Sequence, residues 1–184
     1  KASSVIFNIV NTSQEKLSPD IISIYSEIVG KWNRIAQGEN VCIPVNEAVT
    51  SAGILGWYPG HLICVGGYTS VGKSTYLAQI VTDACREGAS VLVFSLEDQR
   101  TDKLIKVLAN ITDIPQSILI KGHFSEQYRQ IIKEGWVEIR NYNLLIYDNI
   151  YSINAMRLKI MKAKLTSKLD IVCIDFIQNI TGGG

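Results

Sequence analysis

The sequence predicts an α/β fold with a mainly parallel β-sheet flanked by helices, and two observations support this prediction. Short apolar runs typical of strands alternate with stretches whose apolar residues recur at helical spacing. A glycine-rich turn also stands between one apolar run and a helical pattern, and it reads Gly67-Tyr68-Thr69-Ser70-Val71-Gly72-Lys73-Ser74-Thr75. Alternating strands and helices favour a parallel sheet, which binds ligands at the carboxyl ends of its strands.

Composition limits the classes of function. The 184 residues are 47% hydrophobic, which is enough for one well-buried domain and an appendage. Eighteen basic and 17 acidic residues give a net charge of +1, so any contact with DNA is expected to be local. No apolar run is long enough to cross a bilayer. Cys64 and Cys173 lie in apolar runs and are expected to be buried and reduced, which favours a cytoplasmic protein.

The N-terminal part of the chain is predicted to form an amphipathic helix over 19–37. Pro19 follows a serine, as at the first position of a helix, and Gly38 is a typical stop. Apolar residues recur at steps of four and three from Ile21 to Ile35. Such a stripe must pack on another surface, either in its own domain or on a neighbouring subunit.

The rest of the chain is predicted to form the core. We assign 1–40 to the N-terminal segment with its helix and 41–184 to this core. Strands are predicted over His61–Val65, Ser90–Ser95, Leu144–Asp148 and Ile171–Asp175. Helices are predicted over 73–87, around 104–111, over 124–138 and after a cap at Ser152.

The glycine-rich turn matches the pattern G-x-x-x-x-G-K-S. Gly67 and Gly72 permit backbone conformations that turn successive N–H groups inward, so the loop can cradle phosphates at the start of a helix. Lys73 can reach the terminal phosphates, and the Ser74 hydroxyl suits Mg²⁺. A plain turn with a surface lysine is the alternative. The strand and helix predicted on either side favour nucleotide binding.

Three carboxylates are predicted at the edge of the sheet where this loop lies. Asp175 ends a strand and is expected to hold Mg²⁺ opposite Ser74. Glu97 could orient and deprotonate an attacking water, although it could equally be an ordinary exposed acid. Asp148 is expected to be structural or to support the site residues from behind. The segment 167–170 reads Ser-Lys-Leu-Asp but precedes a strand, which argues against guanine recognition and favours ATP.

Two further motifs carry a family resemblance. Phe94-Ser95-Leu96-Glu97 follows one strand, and Ile174-Asp175-Phe176-Ile177-Gln178 overlaps another. Together with the phosphate-binding turn, these motifs resemble the RecA-like motor domain of DnaB-family replicative helicases, over about residues 43–180. The helix at 19–37 resembles the linker helix that precedes that domain.

The resemblance implies roles for individual residues and for partners. It makes Lys73 a catalytic phosphate ligand, Ser74 and Asp175 the Mg²⁺ ligands, and Glu97 the catalytic base of ATP hydrolysis. It also implies a hexameric ring with ATP between subunits, a linker helix docked on the next subunit, and single-stranded DNA held in the central channel.

The sequence also departs from the family pattern. Asn46-Glu47 and Thr50-Ser51 replace a Gly-Phe and a Leu-Asp pair, which indicates a divergent member such as one from a phage or prophage. The family has a strand between those of the phosphate loop and Asp175, and an arginine finger, and neither is found here. We therefore expect a piece of a longer chain that alone hydrolyses ATP poorly, because such an arginine contributes about 10³–10⁵ in rate.

Three other functions stay open from the residues alone. One is a RadA-like recombination ATPase with the same fold. Another is a non-catalytic nucleotide-binding module, such as a loader or regulator that uses ATP as a switch. The third is a small-molecule kinase, which would need arginines in a lid, whereas the segment 114–140 contains only Arg129 and Arg140.

Overall fold

A computed structural model describes residues 21–39, 41–51 and 53–182 of the chain. The chain divides into two compact units, Lys1–Val41 and Cys42–Gly184. The predicted start of the N-terminal helix, at 18–20, lies outside the described residues. Within the described ranges, no helix combines the length and the apolar character needed to cross a membrane.

The first unit contains helix α1, Ile21–Ala36, which confirms the predicted helix over these residues. Gly38 ends it with a φ of 82°, a left-handed conformation that glycine adopts without strain. The apolar stripe of α1 is exposed: Tyr25 is 63% and Trp32 61% accessible. The helix therefore presents an apolar face, as its spacing predicts.

The second unit alternates helices and strands as the sequence predicts. Its elements in chain order are α2 (Glu47–Ser51), α3 (Lys73–Arg86), β1 (Val91–Ser95), α4 (Arg100–Thr112), α5 (Gln116–Lys121), α6 (Glu126–Ile139), β2 (Leu144–Tyr147), α7 (Ile153–Thr166), β3 (Ile171–Asp175) and a 3₁₀ turn (Ile177–Asn179). Helices α2 and α5 are additions to the sequence prediction.

The three strands form a parallel sheet in the order β2-β1-β3. Strand β1 lies in the centre, and its register places Val91 beside both Leu144 and Ile171. All five residues of β1 are buried, as expected of a parallel strand covered on both faces. The carboxyl ends of all three strands therefore meet at one edge of the sheet.

Helices cover both faces of the sheet. On one face, Val91 and Val93 pack with Val81 of α3 and Val107 of α4. On the other face, Leu92 and Phe94 pack with apolar residues of α7, among them Met156 and Ala163. A third cluster joins α4, α5 and α6 through Leu108, Ile114 and Leu119. These layers fix α4 against the sheet, which matters for the site described below.

The predicted strand at His61–Val65 is wrong. The structure assigns no strand to these residues, and Leu62 is 91% accessible. Cys64 is also exposed, which contradicts its predicted burial, whereas Cys173 is buried as predicted. The physical reason is that a strand needs a hydrogen-bonded neighbour. No described residue pairs with this segment in a sheet.

The outer strands are less buried than predicted. Leu145 of β2 is 44% accessible, and Val172 and Ile174 of β3 are 38% and 36% accessible. Among the described residues each outer strand pairs only with β1, so one of its sides has no neighbouring strand. The apolar runs therefore predict strands correctly but overestimate their burial.

Candidate nucleotide-binding site

The predicted phosphate loop leads directly into α3 and is open to solvent. Residues 66–72 are all exposed, so no packed side chain fills the turn. Ser70 and Gly72 have left-handed backbones, with φ of 64° and 93°. A Cβ atom at Gly67 would lie 3.0 Å from Cγ2 of Val71, so the loop backbone passes close to this side chain. This succession of conformations is the kind that turns backbone N–H groups toward an anion.

The side chain of Lys73 folds back over its own loop. Its ammonium donates hydrogen bonds to the carbonyl oxygens of Gly67, at 2.8 Å, and Tyr68, at 2.6 Å. These contacts hold a positive charge against the loop at the first residue of α3, where the helix dipole is also positive. Ser74 is half-buried and Thr75 exposed in the same turn. The loop, Lys73 and the start of α3 together form an electropositive region at the N-terminus of this helix.

Strands β1 and β3 bring two of the predicted carboxylates to one edge. Ser95 lies beside Asp175 in the register, and the Leu96 N–H donates to the Asp175 carbonyl at 2.7 Å. Glu97 follows by two residues and is exposed. Among the described residues its carboxylate has no hydrogen-bond or ion-pair partner. Glu97 thus keeps a free carboxylate at the edge where Asp175 ends β3.

Asp148 also lies at this edge, at the end of β2. One of its carboxylate oxygens accepts a hydrogen bond from the backbone N–H of Arg100, at 3.0 Å. The other accepts from the side-chain amide of Asn149, at 3.1 Å. Its contacts are those of the structural residue that the sequence predicts.

A group of charged residues that the sequence analysis missed surrounds Asp175. The edge cluster, as we name it, consists of Asp98, Lys103, Lys106 and Asp175. Lys103 and Asp175 are only 4% and 7% accessible, and the Lys103 ammonium donates to Oδ2 of Asp175. The same ammonium lies 3.1 Å from Oδ2 of Asp98, and that oxygen accepts from Lys106 at 2.6 Å. Two carboxylates are therefore bridged by a buried lysine.

The edge cluster affects the ionisation of Asp98. Burial raises the pKa of Asp98, but hydrogen bonds and charges from Lys106 and Lys103 outweigh burial, so this pKa lies below its ordinary value. A sequence signal for the cluster does exist. Lys103 stands four residues before Val107, on the buried face of α4. A lysine is almost never fully buried unless a carboxylate pairs with it.

A cavity links the edge cluster to the helix that follows the phosphate loop. It has a volume of about 280 Å³, and its walls include Thr75 of α3 and Lys106 of α4. Lys106 in turn contacts Asp98. Thr75 of α3 and Lys106 of the edge cluster therefore line the same cavity.

The donors here fit a magnesium ion that arrives with a nucleotide. No cluster of three or more His, Cys, Asp or Glu side chains within the described ranges could hold a metal by itself. Mg²⁺ commonly uses one or two protein oxygens and completes its shell with water and phosphate. A serine hydroxyl and one carboxylate meet that requirement. Here the carboxylate already has a cationic partner, Lys103.

The fold and the loop together define a class of protein, the P-loop nucleotide-binding domains with a parallel sheet. The profile of the DnaB-like helicase C-terminal domain family matches residues 50–184. The chain belongs to this family, which confirms the resemblance found in the sequence. The expected RecA-like fold is also confirmed, since an ATPase domain and a DnaB-like replicative helicase have similar structures.

Curated relatives are replicative helicases. The chain is 28% identical to the replicative DNA helicase DnaB of Helicobacter pylori over 129 residues, covering 69% of this chain and 26% of that protein. It is 25% identical to the replicative DNA helicase DnaC of Bacillus subtilis over 177 residues, covering 95% of this chain and 38% of that protein. The chain therefore spans about a quarter to two fifths of these relatives.

Solved structures support the fold. One of them, an isolated ATPase domain, is similar with a TM-score of 0.73 at 17% identity, over 88% of this chain and 59% of that one. A DnaB-like replicative helicase, described with its interactions with primase, gives the same TM-score and identity over 100% of this chain and 45% of that one. At this identity the likeness establishes architecture only.

Proposed function

We propose that this chain is the ATP-hydrolysing motor domain of a replicative DNA helicase. The observation that carries the proposal is the open phosphate loop with Lys73 at the start of α3, in a chain that belongs to the DnaB-like family. Backbone N–H groups of residues 67–72 bind the phosphates, and Lys73 exchanges its loop carbonyls for the terminal phosphates. Thr75 completes the loop at the first turn of α3.

The edge of the sheet supplies the catalytic groups in this proposal. Ser74 and Asp175 hold Mg²⁺, which neutralises charge on the phosphates when it is bound. Glu97 orients the attacking water and accepts its proton. Its lack of a cationic partner among the described residues supports this role, since a base that already forms an ion pair is weakened.

The partners follow from the same proposal. Six copies form a ring, as the family resemblance implies. ATP hydrolysis between neighbouring subunits drives movement along single-stranded DNA. Helix α1 serves as a linker helix, and its exposed apolar face docks on a neighbouring copy. Because the substrate is DNA, we place the protein in the cytoplasm.

The proposal is tested in two stages. Fluorescent mant-ATP should bind the chain in Mg²⁺, and Lys73→Ala should abolish binding. Glu97→Gln should bind like the wild type. In the full-length protein that carries this chain, single-stranded DNA should stimulate ATP hydrolysis, and Glu97→Gln should remove that stimulation. Binding without DNA-stimulated hydrolysis in the full-length protein would favour a nucleotide switch instead of a motor.

A further inference from the structure

Lys103 is the unusual feature of the candidate site. A buried lysine is costly unless carboxylates surround it, and Lys103 contacts two, Asp98 and Asp175. One of these two is the residue proposed above to hold Mg²⁺. The ammonium and a magnesium ion thus need the same carboxylate, and both are cations.

We propose that Lys103 and the divalent cation compete for Asp175, so that Lys103 sets how strongly nucleotide binding depends on Mg²⁺. Lys103 is then a positioning residue that acts through Asp175. This inference rests on the proposed function, because it takes Asp175 as a magnesium ligand.

The charges of the edge cluster support competition. Two lysines and two aspartates make the cluster neutral when no metal is bound. A divalent cation at Asp175 adds two positive charges beside an ammonium that is only 4% accessible. Water screens buried charges poorly, so the two cations repel each other strongly. Metal binding at Asp175 therefore favours movement of the Lys103 ammonium away from this carboxylate.

Asp98 can bind the ammonium after it leaves Asp175. Its Oδ2 already lies 3.1 Å from the Lys103 ammonium, so a small rotation at the end of the side chain retains one carboxylate partner. The ammonium has no space to withdraw along its own stem. A void of only about 10 Å³ lies along the Lys103 stem, and the other residues that line it are apolar: Leu77, Ala78, Val81, Val93, Val107 and Ile146. An ammonium cannot withdraw into so small and apolar a space.

Competition makes a measurable quantity depend on Lys103. That quantity is the metal gain, which we define as the Kd for mant-ATP in EDTA divided by the Kd in saturating Mg²⁺. In Lys103→Met no ammonium opposes the metal in Mg²⁺. In EDTA, no ammonium remains to neutralise the charge of Asp175 in place of the metal. Both effects act in the same direction. The metal gain should rise at least about fivefold, the lower end of typical coupling between two binding events.

Lys106→Met is the matched control. It removes the same charge from the same cluster, but Lys106 contacts Asp98 and not Asp175. Its metal gain should stay close to that of the wild type, as should that of Lys103→Arg, which keeps the cation. A rise in Lys106→Met equal to that in Lys103→Met would reduce the effect to net charge and overturn the inference.

The remaining outcomes separate the inference from the proposed function. Wild-type protein that binds no mant-ATP, with or without Mg²⁺, would refute the proposed function itself. Wild-type protein that binds in a Mg²⁺-dependent way, with an unchanged metal gain in a folded Lys103→Met, would refute only the competition. If thermal melting shows that Lys103→Met does not fold, Lys103→Gln decides the matter. Its amide keeps a hydrogen-bond donor at this position but has no charge.

Discussion

The carboxylate of Asp148 accepts a hydrogen bond from the backbone N–H of Arg100 at 3.0 Å, across 48 residues of sequence. Arg100 is the first residue of α4, and its own N-cap, Gln99, makes no capping hydrogen bond with its side chain. An acid at the end of β2 thus caps the neighbouring helix, and its charge also favours the positive end of the helix dipole.

Replacement of this cap should destabilise the fold. We expect Asp148→Ala to lower the free energy of unfolding by about 1 kcal/mol, the usual cost of a lost N-cap. Urea denaturation monitored by circular dichroism measures the change. Asp148→Asn keeps an oxygen acceptor and should lose much less. Equal losses in the two variants would mean that the charge, and not the hydrogen bond, is what α4 needs.

Gly135 of α6 lies too close to α4 for a side chain. A Cβ atom there would be 2.7 Å from Cγ2 of Thr112 and 2.9 Å from Cδ1 of Leu108. Thr112 cannot rotate freely, because its hydroxyl donates to the carbonyl of Leu108 at 2.7 Å. We expect Gly135→Ala to destabilise the protein by about 1–2 kcal/mol, since overpacking outweighs the higher helix propensity of alanine.

Gly30 provides the control for this substitution. It also lies inside a helix, α1, but no described atom comes within 4 Å of a Cβ built there. Gly30→Ala should therefore leave thermal stability unchanged or raise it slightly, by the propensity difference of about 0.5–1 kcal/mol. A Gly135→Ala variant as stable as Gly30→Ala would show that α4 and α6 are packed less tightly than the distances indicate.

Glu138 makes stability depend on pH. A hydrogen bond from Arg86, at 2.8 Å, is the main reason that the pKa of Glu138 lies below its ordinary value of 4.5. A carboxylate whose pKa is lowered by folding stabilises the protein above its unfolded pKa, and that stabilisation is lost as pH falls through the folded value. Glu138→Gln should therefore reduce the loss of melting temperature below about pH 4.5.

Glu134→Gln serves as the comparison for Glu138→Gln. Glu134 lies on the same helix, but its recorded partner is the neutral amide of Gln130, at 2.7 Å. Its replacement should leave the loss of melting temperature below about pH 4.5 unchanged. An equal reduction of that loss in both variants would attribute the effect to the net charge of α6 and not to the ion pair with Arg86.

Sequence patterns predicted much of this structure because they report local preferences. The spacing around Gly67, Lys73 and Ser74 predicted a turn that leads into a helix, and α3 begins at Lys73. The run from Ile171 to Asp175 gave β3 its correct bounds. Both signals depend on consecutive residues. The same approach failed at 61–65, because an apolar run becomes a strand only beside a partner strand.

The edge cluster was missed for a related reason. Lys103 and Asp175 are 72 residues apart, and only tertiary packing brings them together. The period of α4 places residue 103 on the covered side, but a lysine commonly extends from such a position to solvent. Which carboxylate would meet it depends on tertiary packing, which spacing along the chain does not specify.

Burial should divide three of the four thiols, Cys64, Cys85 and Cys173, into reactive and unreactive groups. Burial is the main cause that raises the pKa of Cys85 and of Cys173 to about 12, so at pH 8 both stay protonated. Cys64 is exposed. With Ellman's reagent in native buffer, Cys64→Ser should remove one equivalent of the fast phase, whereas Cys85→Ser and Cys173→Ser should remove none. Loss of a fast equivalent in either of the latter variants would show that the sheet face covered by α3 and α4 opens readily, since thiolates form only where water reaches them.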